Sequence, residues 1–314
     1  MNVLKSCRRA GIVTLSCLAL FFAGCGGGGA TGSSGSLSLS ASKTTVAYGE
    51  PVTISWSASG DATIIAGQCN FPVSGQSGSI VDYPSYDTTY RIRGNDGNGA
   101  DAEKTRTVVV QKSAKKILLI GDTAVSGTNQ IKQYLQTITT QPVDTRLDIT
   151  GVSPYDVVVL LPSAAYIPSD NAEIAIYLTD GGSVILVDQA PRRLATGNGG
   201  VGDVSAIGSW CAGVTSLSTS GFNERVITSN SGSIKVSAVL FGDDGPNGYD
   251  LGPVSALATR LTTNSSNKHS AFVYEPPSGG KVGFVGGLGI GTSEADSSAR
   301  ELLLTEARWM MDGG

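Results

Sequence analysis

Residues 155–188 read YDVVVLLPSAAYIPSDNAEIAIYLTDGGSVILVD, and this stretch decides the fold class. It contains two uninterrupted apolar runs, at 157–161 and at 184–187. Between them lies a segment of helical length that opens at Asp170 and closes at Gly181 and Gly182. Continuous apolar strands are typical of a parallel sheet whose two faces are both covered by helices. The stretch therefore predicts a strand, a helix and a second strand of a doubly wound α/β domain.

The flanking sequence continues this alternation. Residues 116–121 read KILLIG, which is typical of another buried strand, and an amphipathic helix is expected after it. Further extended segments follow as far as residue 286, and a closing helix is expected from about Ser293. The apolar residues that define the two helix faces are Ile131, Tyr134, Leu135 and Ile138 in the first, and Ala299, Leu303, Ala307 and Met310 in the last. We assign residues 115–314 to the α/β domain.

Residues 37–112 have the pattern of an all-β unit. Val52, Ile54 and Trp56 alternate with polar residues, as in a half-buried strand, and clusters of Gly, Ser, Asn and Asp separate several such runs. The stretches GEPVTISWSASG (49–60) and DTTYRIRGNDGNGADAEKTRTVVV (87–110) resemble bacterial immunoglobulin-like domains of cell-surface proteins. The resemblance implies an immunoglobulin-like β-sandwich over residues 37–112, so that the chain as a whole is multidomain.

The first 36 residues predict export and anchoring. Three basic residues precede an apolar stretch that is too short to span a bilayer, which is typical of a signal peptide over residues 1–24. Phe22-Ala-Gly-Cys25 resembles the lipobox of bacterial lipoproteins, which implies acylation of Cys25; ordinary signal cleavage beside an incidental cysteine is the alternative. The Gly/Ser-rich residues that complete the 25–36 segment are expected to form a flexible tether. We therefore expect a lipid-anchored protein of the cell envelope, and Gly26 favours the outer membrane.

A second resemblance concerns the α/β domain. Residues 155–190, together with SAFVYEPPSGGKVGFVGG (270–287), resemble class I glutamine amidotransferase-like domains of flavodoxin-like fold. Active members carry a cysteine in a Gly-x-Cys-x-Gly elbow directly after the second strand, assisted by a histidine and a glutamate. The matching stretch here, Val187 to Pro191, has no cysteine. The single histidine of the chain, His269, is not part of a His-x-Glu pattern. No catalytic residue can be transferred, so the protein is expected not to be an enzyme.

Five polar residues are expected at one edge of the sheet. In doubly wound sheets ligands bind beyond the carboxyl ends of the strands. The residues that this rule brings to a ligand crevice are Asp122, Ser163, Asp188, Gln189 and Arg192. We interpret the protein as a non-catalytic binding or assembly module whose partner is an envelope protein, a glycan or peptidoglycan. An envelope hydrolase that uses an unconventional carboxylate such as Asp188, and a purely structural lipoprotein, are the alternatives.

The net charge, three aspartates and one cysteine bear on other possible roles. The chain has 22 basic and 26 acidic residues, and this acidic balance disfavours nucleic acid as a partner. Asp243, Asp244 and Asp250 offer oxygen ligands for calcium, although a solvated loop explains them as well. Cys211 lies beside Trp210 in an apolar context and is expected to be a core thiol. No cofactor is expected.

Overall fold

The computed structural model describes residues 37–58, 62–66, 69–73, 77–95, 100–167, 169–219, 225–226, 234–237, 248–263, 268–288 and 297–313. Cys25 and the rest of residues 1–36 lie outside these ranges, as do Asp243 and Asp244.

The described part of the amino-terminal region contains eight strands in two sheets. The sheet orders are β1-β3-β6 and β2-β8-β7-β4-β5. The strands are β1 (Ser38–Ala41), β2 (Thr45–Val46), β3 (Val52–Ser57), β4 (Ala62–Ala66), β5 (Cys69–Val73), β6 (Ser77–Asp82), β7 (Thr88–Asn95) and β8 (Asp101–Val110). Ile54 of the first sheet and Ile64 and Ile92 of the second are completely buried in one shared core.

The alternation predicted for β3 is observed. Val52 and Ile54 are buried, whereas Thr53 and Ser55 are partly exposed. Trp56 is only partly buried and lies over Gly78 of β6, its partner in the register. Glycine leaves room for the indole ring, since a side chain at position 78 would collide with it. The immunoglobulin-like assignment of this unit stays a prediction.

Residues from 115 onward form an α/β domain. Its strands are β9 (Ile117–Ile120), β10 (Asp144–Arg146), β11 (Val157–Leu160), β12 (Ser183–Val187), β13 (Gly202–Asp203), β14 (Ser216–Thr219), β15 (Arg225–Val226), β16 (Tyr249–Gly252), β17 (Thr259–Arg260), β18 (Thr262–Thr263), β19 (Ala271–Tyr274) and β20 (Lys281–Val285). Its helices are α1 (Ser126–Gln136), α2 (Asp170–Thr179), α3 (Ala190–Thr196) and α4 (Ser297–Asp312), with a 3₁₀ turn at Ser205–Ile207. Helix α2 begins at Asp170, as predicted. Ser169 is the N-cap residue, and Asp170 Oδ2 accepts a hydrogen bond from the Ile167 N–H.

Over the residues that the structure describes, the central sheet has seven strands in the order β10-β9-β11-β12-β20-β19-β17. The first five strands are parallel, and their order begins as 2-1-3-4, which is a doubly wound order. The sheet is mixed rather than fully parallel, because β19 is antiparallel to both of its neighbours. The physical reason is the short Glu275–Gly280 connection, which allows only a hairpin between β19 and β20.

Helices cover both faces of this sheet. Helices α2 and α3 pack in one apolar cluster, and α1 and α4 pack in the other. The residues predicted to line α4, namely Ala299, Leu303, Ala307 and Met310, are all buried. Among the described residues, no helix is long and apolar enough to cross a membrane.

The two regions are joined by more than the polypeptide link. Ser113, in the link itself, pairs with Thr139 in a β-bridge, and its Oγ donates to Asp312 Oδ1 over 2.8 Å. Ser85 Oγ and Thr305 Oγ1 lie 3.1 Å apart in a buried hydrogen bond. The packed junction makes the amino-terminal unit a fixed neighbour of α4.

Candidate functional site

The carboxyl edge of the central sheet carries two local groups of polar residues. The first joins the ends of β9 and β11. Ser163 Oγ accepts a hydrogen bond from the Asp122 N–H over 3.1 Å and lies 3.1 Å from Thr128 Oγ1. The Asp122 carboxylate accepts from the Ala124 N–H over 2.8 Å, so that it closes its own turn. This group ties two strand ends together through a partly buried hydroxyl.

The second group begins at Asp188, directly after β12. Asp188 has φ +49°, and Asp is one of the few residues other than glycine that adopt this left-handed conformation readily. The Asp188 Oδ1 atom accepts hydrogen bonds from the N–H groups of Gly287 and Leu288, over 2.5 and 3.2 Å. The residue is 4% exposed. The sharp strand-to-helix corner is therefore present, and its carboxylate holds the backbone that follows β20.

Gln189 and Arg192 organise the loop that follows α3. Gln189 Oε1 accepts from the Gly200 N–H over 2.5 Å, and its Nε2 donates to the hydroxyl of Tyr249. Arg192 Nη1 donates to the Asp203 carbonyl over 2.6 Å. The glycine-rich loop after α3 thus folds back over the start of the helix, where these side chains hold it by hydrogen bonds.

The hydrogen bonds of the described residues connect the five predicted crevice residues in two groups. Asp122 contacts Ser163, whereas Gln189 and Arg192 lie at the start of the helix that follows Asp188. The hydrogen bonds described above run within each group or to the neighbouring loops. Two cavities, of about 260 and 300 Å³, are lined by other residues. The edge presents hydrogen-bonding groups suited to recognition, and no nucleophile paired with a base is found among these five residues.

Cys211 and His269 are both removed from solvent. Cys211 is a free, fully buried thiol beside Trp210, and burial alone raises the pKa of the thiol far above its usual range. His269 is 2% exposed, and its Nδ1 contacts the Thr262 carbonyl. A reactive cysteine needs a lowered pKa and access to solvent. The environment of Cys211 is therefore that of a core thiol.

The metal candidates fall mostly outside the described residues. Asp250 is buried at 3% exposure in β16, opposite Ser218. Within the described ranges, no three His, Cys, Asp or Glu side chains cluster as a metal site would need.

Sequence reasoning missed the buried charges on α4. Glu301, Glu306 and Arg308 are each at most 5% exposed. Glu301 and Arg308 lie opposite the predicted apolar face of α4, whereas Glu306 lies within that face, between Leu303 and Met310. Burial raises the pKa of Glu301 to about 7, against the opposing effects of the Tyr86 hydrogen bond and the Arg300 charge. The sequence signal that could have indicated these buried charges is the closing helix. A helix that packs against the sheet on one side and against a second region on the other is buried on all its faces.

These features define an α/β domain with a doubly wound mixed sheet, whose strand-to-helix corner carries an aspartate. No protein-family model matches the chain, and none of the curated proteins matches it.

Several solved structures are similar to the chain. A ThuA-like protein from Bacteroides uniformis has 11% identity and a TM-score of 0.39, covering 64% of this chain and 92% of that chain. A ThuA-like protein from Parabacteroides merdae has 14% identity and a TM-score of 0.39, covering 64% and 91%. The β-galactosidase from Bacillus circulans sp. alkalophilus has 13% identity and a TM-score of 0.39, covering 62% of this chain and 30% of that chain. The α/β class assigned here rests on the strand order and helix placement of the chain itself.

Proposed function

We propose that the protein is a lipid-anchored envelope component that acts as a non-catalytic binding or assembly module. In this proposal residues 37–112 form an immunoglobulin-like domain, and residues 115–314 form a class I glutamine amidotransferase-like domain that has lost its nucleophile. Cys25 carries the anchor, and the partner is an envelope protein, a glycan or peptidoglycan.

The environment of Asp188 is the observation that carries the proposal. An elbow of this kind normally exposes its nucleophile above the sheet. Here the elbow residue is a carboxylate that accepts two backbone hydrogen bonds and is almost completely buried. A buried carboxylate that makes these two hydrogen bonds stabilises the loop after β20. This structural role favours a scaffold over a reaction centre.

The burial of the sulfur and imidazole groups supports the same proposal. Cys211 is inside the core and has a raised pKa, and His269 is buried. A mechanism that used the Cys211 thiol or the His269 imidazole would need that group to reach a substrate.

Two experiments test the anchor and the binding role separately. Metabolic labelling with an alkyne palmitate analogue is expected to mark the wild-type chain and not Cys25→Ser, with Cys69→Ser as the matched control.

Purified wild-type protein is expected to co-sediment with envelope fragments or to capture a defined envelope partner, and Asp188→Asn is expected to bind equally well. Absence of any such binding would contradict the proposal.

Hydrolysis is the competing outcome. Wild-type protein is expected to release no soluble product from peptidoglycan or envelope glycan. Release that Asp188→Asn abolishes would establish the hydrolase instead.

A further inference from the structure

A cavity of about 300 Å³ lies where the amino-terminal unit meets the α/β domain. We call it the junction cavity, and its lining residues are Tyr86, Asp87, Lys112, Tyr134, Thr137, Arg300 and Leu304. They come from three places: the segments that flank β7 and β8, the end of α1, and α4. Its volume is at the lower end of the range for small-molecule sites.

Arg300 is the cation of this cavity whose position is set by neighbouring tyrosine rings. Its guanidinium carbon lies 4.8 Å from the ring centre of Tyr134 and 5.6 Å from that of Tyr86. Its Nη2 lies 3.4 Å from the Tyr86 hydroxyl, and its Nε lies 3.8 Å from Glu301 Oε1. Contacts with two aromatic rings hold a guanidinium in one orientation and leave its edge available for a planar partner.

Both cations of the cavity carry donors that have no protein hydrogen-bond acceptor among the described residues, and the buried Arg300 Nε is one of them. Within the described ranges, Arg300 Nη1 makes no hydrogen bond, and Lys112 makes neither a hydrogen bond nor an ion pair. The acidic group of the cavity is already engaged in part, because Asp87 Oδ1 accepts from the Val110 N–H over 2.8 Å. The lining therefore contains two cations and one carboxylate. The Glu301 carboxyl group, which lies 3.8 Å from Arg300 Nε but outside the lining, has a pKa that burial raises to about 7. This balance of charges favours an anionic ligand.

The remaining groups narrow the ligand class. The Thr137 hydroxyl donates to the Tyr134 carbonyl over 2.6 Å, and Leu304, 1% exposed, provides an apolar wall. Asp87 Oδ2 can accept from a ligand hydroxyl. A guanidinium fork matches a carboxylate in a bidentate arrangement, whereas a lysine acts as a point charge.

We propose that the junction cavity binds a small hydroxylated carboxylate of monosaccharide size, such as a sugar acid, through Arg300 and Lys112. Such a ligand contacts both regions of the chain and stabilises their junction. This inference does not depend on the envelope role proposed above.

Calorimetric titration of the full chain with D-glucuronate tests the site, with D-glucose and inorganic phosphate as comparison ligands. D-glucuronate is expected to bind at one site per chain, at least tenfold more tightly than either comparison ligand. Arg300→Gln is expected to weaken binding by about tenfold or more, because a charge-assisted pair is lost. Lys112→Gln, at an exposed position, is expected to weaken it by about threefold to tenfold.

Arg106→Gln is the matched control, because Arg106 is an exposed arginine on β8 outside the cavity, and its affinity should equal that of the wild type. Arg300→Lys keeps the charge but loses the fork, and is expected to bind less tightly than the wild type. Absence of saturable D-glucuronate binding, equal binding by Lys112→Gln and the wild type, or equal binding of D-glucose or phosphate would each overturn the proposal.

Discussion

The hydroxyl of Tyr86 donates a hydrogen bond to the Oε1 atom of Glu301, and this bond joins residues that lie 215 positions apart in the chain. Tyr86 belongs to the segment between β6 and β7, and Glu301 lies in the first turns of α4. Glu301 is 5% exposed. The junction between the two regions therefore contains an ionisable group whose charge state depends on their packing.

The free energy of unfolding is expected to decrease as the pH rises through the range in which Glu301 titrates. Its pKa is raised from 4.5 to about 7 in the folded protein. Below pH 4.5 the carboxyl group is protonated in both states, and its full contribution to stability is present. Between pH 4.5 and 7 the unfolded chain ionises first, so the free energy of unfolding decreases by up to about 3 kcal/mol.

Urea denaturation of the wild type and of Glu301→Gln from pH 4 to pH 8 measures this effect. The amide side chain of the variant still accepts the Tyr86 hydrogen bond but cannot titrate. The difference between the two proteins should shift in favour of the variant as the pH rises and level off above about pH 7. Two parallel stability curves would show that Glu301 does not titrate in this window.

Glu306→Met is expected to stabilise the protein at pH 7. Glu306 is fully buried against Gly283 of β20, neither of its carboxyl oxygens has a hydrogen-bond partner within the described structure, and burial raises its pKa well above 4.5. Methionine has a similar shape and removes the unsatisfied polar group, which is worth about 1–3 kcal/mol.

Chemical denaturation at pH 7 measures the gain, with Glu275→Met as the control at an exposed position. The control should change stability by less than about 0.5 kcal/mol. A loss of stability in Glu306→Met of the same size at every pH would mean that the carboxyl group is needed for packing.

Asp188→Ala is expected to cost about 2–4 kcal/mol of stability, and Asp188→Asn less than about 1 kcal/mol. Alanine removes the acceptor of the Gly287 and Leu288 N–H groups and disfavours the +49° φ value, whereas asparagine keeps an acceptor and adopts this conformation more readily. Thermal or urea unfolding of the three proteins checks the order. Equal costs for the two variants would show that the negative charge, rather than the acceptor geometry, is what the loop needs.

Cys211 is expected to resist alkylation in the folded protein. The thiol is fully buried and its pKa is raised by burial, so the thiolate that reacts with iodoacetamide is scarce. Peptide-resolved mass spectrometry after brief treatment at pH 8 should find the Cys211 peptide unmodified, and modified once urea is added. Modification of the native protein at the rate seen in urea would place Cys211 in an accessible cleft and favour a thiol enzyme.

The candidate site was predictable in position but not in geometry. The apolar run 184–187 is enough to place Asp188 at the carboxyl end of a strand, and the structure has it there. The direction of its carboxylate depends on the N–H groups of Gly287 and Leu288, about a hundred residues later in the chain. Likewise, the antiparallel β19 follows from the length of one connection, which the apolar pattern of the strand does not reveal.

The amino-acid sequence by itself determined the buried strands β9, β11 and β12 and the helices α1, α2 and α4, because continuous apolar runs and helical spacing act between residues close along the chain. The tertiary structure alone decided that α4 is buried on all sides, that Tyr86 meets Glu301, and that Arg300 lies between two tyrosine rings. The physical reason is that burial and electrostatic environment are properties of packed surfaces, and these surfaces are assembled from segments that are distant in sequence.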